Sequence, residues 1–192
     1  EAEGAMPLWN CRDGYGSATK ALHWLIVVLF AGQYAAGLTM ARLGEGGRAL
    51  GLARDDLFNW HKTLGLVALA VAAARLAARH AGELPEWAPT LSERERRFVH
   101  RAERVLYAAM FVMPVSGFVY VMAGDYGVMF AGAMEMPNPL PRWEALASVA
   151  RVVHVGSAIA LAATLAGHVG LVLRHTLLLR DGLVWRMLPR RR

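Results

Sequence analysis

Cysteine is nearly absent from this 192-residue chain, with Cys11 standing alone. No disulfide forms within it, and no C-x-x-C-H occurs to hold a cofactor covalently. Charge is missing from its longest apolar stretches. Leu22–Met40 has no charged side chain, and His23 is its one group titrating near neutral pH. Val105–Gly124 has no charge at all, and in Val152–Leu173 only His154 and His168 ionise. Stretches of about 20 such residues match the thickness of a bilayer and exclude an ordinary soluble domain. A hydrophobic content of 56% and a mean hydropathy of +0.31 agree. The net charge of +6 does not make the chain a nucleic-acid binder, because most of its length belongs in hydrocarbon.

A fourth stretch, Thr63–Ala78, is interrupted by Arg75. Arg75 and Arg79 lie near its end, where long basic side chains reach the interface. The fold expected is all-α: one integral membrane four-helix bundle over residues 7–192, with spans of about 22–41, 61–79, 104–124 and 150–175. Residues 1–5 precede Met6 and read as added to a natural start. Leu22–Met40 is too long for a signal-peptide core and is expected to remain. Fifteen of the 21 Lys and Arg fall in the N-terminal segment, residues 75–104 and residues 174–192. The positive-inside rule then puts both termini in the cytoplasm. Arg190, Arg191 and Arg192 read as anchors to the inner leaflet, and Thr176–Leu188 as an amphipathic interfacial piece. Ser92 with Glu95 forms a capping box that starts the third helix. Pro114 and Gly117 are expected to kink it. Pro137, Pro139 and Pro141 break the longest outer segment, where a short helix is expected from about Pro141.

Histidines inside hydrocarbon are costly and mark function. His154 and His168 are fourteen residues apart. They share one helical face at a separation of roughly 21 Å. The direction of each span fixes the remaining depths. His23 begins the first helix on the inner side, and His61 begins the second on the outer side. The pairs are therefore His23 with His168, and His61 with His154. Two histidines with no partnering Cys, Asp or Glu fall short of a structural zinc site. They suffice for a haem, whose porphyrin supplies four nitrogens and leaves two axial positions. Two six-coordinate haems of b type follow. Gly37, Gly65, Gly156 and Gly167 lie near the ligands, where a flat macrocycle needs room. Arg75 is a candidate partner for an inner haem propionate. Met110 and Met113 read as core, and His80 and His100 as solvated.

Tyr15-Gly-Ser17, Leu22-His23-Trp24, Trp60-His61-Lys62-Thr-Leu-Gly65, the His154/His168 pair and Met187-Leu188-Pro189 occur in that order. The set resembles the bacterial cytochrome b561 family, from about residue 14 to 190. The resemblance implies a four-helix protein of the bacterial inner membrane with two non-covalent b haems, whose axial ligands map onto His23, His61, His154 and His168. One member type oxidises superoxide at the periplasmic haem and reduces ubiquinone through the second. Other members exchange electrons with periplasmic redox proteins.

Superoxide:ubiquinone oxidoreductase is accordingly the leading expectation. Arg48, Arg54 and Lys62 are candidate anion-attracting groups, although acidic residues bring the outer segments to zero net charge. Ser17, Lys20, Arg174 and His175 are candidates for a quinone site. The alternatives are a non-catalytic electron-transfer subunit and a cofactor-free scaffold whose histidines only bond between helices.

Overall fold

A computed structural model describes residues 7–188. Arg190, Arg191 and Arg192 lie outside the described residues. Four helices carry the fold: α1 Ser17–Arg42, α2 Arg54–His80, α3 Glu93–Ala123 and α4 Glu144–Leu173. All four are long and apolar enough to cross a membrane. Two antiparallel hairpins join them, β1 Arg48–Ala49 with β2 Leu52–Ala53, and β3 Met129–Phe130 with β4 Met134–Glu135.

The helix ends obey local electrostatics. Asp55 and Asp56 occupy the first turn of α2, Arg79 and His80 its last, and both charges complement the helix dipole. The Ala53 amide donates to Asp56 Oδ2 at 3.1 Å, capping the same end. At the start of α3, the Ser92 amide and hydroxyl donate to Glu95 Oε2 at 2.9 and 2.7 Å. The Glu95 amide returns a longer bond to the Ser92 hydroxyl, completing the box. α3 runs on through Pro114. No separate helix forms at Pro141; α4 is continuous from Glu144. Trp143 instead anchors that end, its amide donating to the Ala123 carbonyl at 2.8 Å.

Large apolar side chains such as Val28, Val152 and Ile159 are exposed. In water that would be a fault; in hydrocarbon it is the expected outer surface. The interior is small-residue rich, with Ala68, Ala72, Ala78, Ala102 and Ala109 buried. Small residues let helix backbones approach where no hydrophobic effect drives them together.

The fold divides into two compact units. One contains residues 7–25, 71–109 and 159–188, and the other residues 26–70 and 110–158. In the first, residues 7–16 fold back on the start of α1. The Asn10 side-chain oxygen accepts from the Gly16 amide at 3.0 Å, and the Ser17 amide donates to the Pro7 carbonyl at 2.9 Å. Gly82 touches this segment so closely that an added Cβ would lie 2.5 Å from the Asn10 carbonyl oxygen. A backbone atom cannot yield as a side chain does. Gly82→Ala is expected to cost about 1–3 kcal/mol through overpacking. Thermal unfolding of the purified variant should fall by roughly 2–4 °C for each kcal/mol.

Candidate functional site

His61 on α2 and His154 on α4 meet in the second unit. Their ring centres are 6.2 Å apart, with the planes at 82°. A metal between two imidazole nitrogens at about 2 Å, with about 1.1 Å from each nitrogen to its ring centre, sets ring centres roughly 6 Å apart. Direct edge-to-face packing spans similar distances, so the nitrogens carry the distinction. His154 Nδ1 lies 2.7 Å from the Met113 carbonyl. A carbonyl only accepts, so Nδ1 donates and a neutral His154 ring keeps its lone pair on Nε2. Such a bond commonly orients a metal-bound histidine. His61 Nδ1 is buried without a partner among the described residues.

Glycine makes room for both rings. A Cβ on Gly117 would stand 2.9 Å from Cε1 and Nδ1 of His154, so α3 passes directly under that imidazole. A Cβ on Gly37 would meet His61 Cε1 at 3.7 Å, an ordinary contact. Tyr34 donates its hydroxyl to the Ala158 carbonyl and ties α1 to α4. Next to His61, Lys62 Nζ donates to the Gly127 carbonyl at 2.8 Å and to the Tyr126 carbonyl at 3.3 Å. The Thr63 hydroxyl accepts from the Ala131 amide at 3.0 Å. The two residues after His61 thus pin the β3–β4 hairpin.

His23 and His168 belong to the first unit. They are close enough to interact electrostatically, and both feel Arg75. Arg75 also donates to the Thr19 carbonyl at 3.5 Å, and its guanidinium lies 5.9 Å from the Tyr107 ring centre. The Trp24 ring meets His23 edge-on at 5.4 Å. His61 and His154 are thus brought ring to ring, while His23 and His168 lie in one unit within electrostatic reach of each other. Tyr15 stands nearby under Arg186, and burial raises its phenol above the ordinary range.

The residues expected around a quinone each have protein partners. His175 is not a surface residue: it is fully enclosed. Its Nδ1 faces Asp181 at 2.5 Å and its Nε2 faces Glu95 at 3.2 Å. The imidazole holds the Asp181 carboxyl below its ordinary pKa, assisted by Thr90 and the Leu183 amide against the effect of burial. Arg174 pairs with Glu95. Lys20 Nζ donates to the Leu188 carbonyl at 3.0 Å, and the Ser17 hydroxyl reaches the Pro7 carbonyl at 3.5 Å. His80 and His100 are exposed, and Met110 and Met113 are core.

Among the described residues no group of three or more His, Cys, Asp or Glu could hold a metal ion. Four helices long and apolar enough to cross a membrane, two of them carrying His61 and His154 ring to ring, fit a membrane protein of the cytochrome b class. The chain belongs to the prokaryotic cytochrome b561 family, which matches residues 14–190. It is 25% identical over 187 residues to cytochrome b561 homolog 2 of Escherichia coli strain K12, covering 95% of each chain. It is accordingly a multi-pass membrane protein of the haem b electron-transfer type, with an oxidoreductase role.

Sequence reasoning missed the Met113 carbonyl and the use of Gly117 as a platform. The signal was present: Gly117 lies four residues after Met113, on the same face of α3.

Proposed function

We propose that the chain binds two b haems, one between His61 and His154 and one between His23 and His168, and passes electrons from superoxide to ubiquinone. The nitrogens of the His61–His154 pair carry this reading: His154 Nδ1 is fixed on the Met113 carbonyl, and His61 Nδ1 is buried without a partner among the described residues. The bound groups would supply the one-electron chemistry. The chain's own part is to present Nε2 of His154 by fixing its other nitrogen, to clear space at Gly37 and Gly117, and to exclude water. Arg75, beside His23 and His168, is suited to a propionate of the inner haem.

The positive-inside distribution supports cytoplasmic termini and a periplasmic His61–His154 site. Lys62 follows His61 and donates to the Tyr126 and Gly127 carbonyls, and the Asp55 carboxylate acts on its ammonium and offsets part of its pull on a small anion. Two superoxide anions would each lose one electron to give two O2. Ubiquinone would take both electrons with two protons at the cytoplasmic side, near Ser17 and Lys20. A second reading, electron exchange with a periplasmic redox protein, is favoured by Leu50, Met134 and Trp143, exposed by 99%, 57% and 58%.

Purified protein is expected to show two b haems per chain in a dithionite-minus-oxidised spectrum. The lack of any b-type band would remove both readings. Superoxide should then reduce the haems rapidly in stopped flow, with quinone as acceptor. Slow reduction beside fast exchange with a periplasmic protein would leave the second reading alone.

A further inference from the structure

Another titratable cluster closes the end of α4, within the first unit. After Leu173 the chain widens into a π-helical stretch, Arg174–Leu179, then turns at Arg180 and Gly182, both with positive φ. It ends in a 3-10 turn, Leu183–Arg186. His175 is buried inside this reversal, facing Asp181 on one side and Glu95 of α3 on the other. Two carboxylate acceptors match a ring protonated on both nitrogens, and charge-assisted bonds of this kind are the stronger ones. Arg174 is the other charge on Glu95. Asp181 also accepts from the Leu183 amide at 3.0 Å, so it holds the beginning of the returning segment.

The far end of that segment reaches α1. The Met187 carbonyl accepts from Trp24 Nε1 at 3.0 Å, and the Leu188 carbonyl from Lys20 Nζ at 3.0 Å. Arg186 donates to the Glu86 carbonyl at 2.5 Å and lies over Tyr15. Trp24 in turn packs edge-on against His23. A continuous line of contacts thus runs from His175 through Asp181, the 3-10 turn and Met187 to Trp24 and His23.

We propose that residues 181–188 are a strap, latched by the His175–Asp181 bond, that fixes Trp24 and so positions His23. His175 is a positioning residue: it touches no cofactor and acts through the strap. The strap itself does not depend on the haem assignment; only its hold on His23 rests on the function proposed above. Releasing the latch frees the Met187 carbonyl from Trp24, lets water reach the His23 end of α1, and loosens the ring that His23 packs against.

The test uses the full haem-loaded chain in detergent or nanodiscs. Hydrogen exchange is followed over residues 181–188, and both haems are titrated spectroelectrochemically. In His175→Leu and Asp181→Asn, exchange over 181–188 should accelerate by about tenfold or more. The midpoint of one haem should shift while that of the other stays. His175→Asn, which keeps a donor toward Asp181, should restore most of both properties. Unchanged exchange in His175→Leu and Asp181→Asn overturns the latch. Faster exchange with both midpoints unmoved overturns its hold on His23. Should His175→Leu fail to fold, Asp181→Asn decides alone. A chain without b haem would defeat the function proposed above while leaving the exchange result readable.

Discussion

His61→Ala is expected to bring the haem content from two per chain to one, with His168→Ala removing the other. The expectation follows from where each pair sits. His61 and His154 belong to one compact unit, and His23 and His168 to the other. Contacts that shape one site, such as His154 Nδ1 on Met113 and Gly37 under His61, come from its own unit. Axial ligation contributes much of the binding of a non-covalent haem, and an alanine supplies no lone pair. The variants should keep their helical content by circular dichroism. Pyridine haemochrome stoichiometry then reads the outcome. Loss of both haems in either variant, with helicity intact, would refute independent sites.

Gly117→Val should have nearly the same effect without touching a ligand. A first Cβ there already meets the His154 ring at 2.9 Å, and two γ methyls add to it. The ring must swing away, which breaks the Nδ1 bond to Met113 and displaces Nε2. Supporting bonds of this kind are worth about 10–100-fold in metal affinity. Haem content should approach one per chain, and the remaining spectrum should match that of His61→Ala. Gly32→Val is the control, because Gly32 is exposed and a Cβ there meets nothing within 4 Å. Two full haems in Gly117→Val would show that His154 does not rest on α3 as described.

The four spans were legible because bilayer thickness imposes one length and one composition on a crossing helix. The capping box at Ser92 and Glu95 was legible for a similar reason: its bonds join residues three apart, so sequence spacing is spatial spacing. The boundary of α4 was not. Pro141 suggested a separate short helix, yet the Trp143 amide bonds to Ala123 and a single helix follows from Glu144. That bond joins residues twenty apart, beyond any local signal.

The histidine pairs are the middle case. Helix direction and depth alone paired His61 with His154, whose rings meet, because a spanning helix leaves only one coordinate free. How each ring is held was beyond that reasoning. His175 shows the gap most clearly. Two turns past His168 on an apolar helix, it read as a surface group or a pocket wall. It became a buried hub because α4 widens into a π-helical turn at Arg174 and the chain reverses at Arg180, bringing Asp181 back to the ring. The sequence by itself determined the crossing helices, since the membrane restricts those to periodicity and length. Only the tertiary structure decided which carbonyl holds His154, which glycine lies beneath it and what His175 grips, because those contacts join residues distant along the chain and depend on the close packing of their helices.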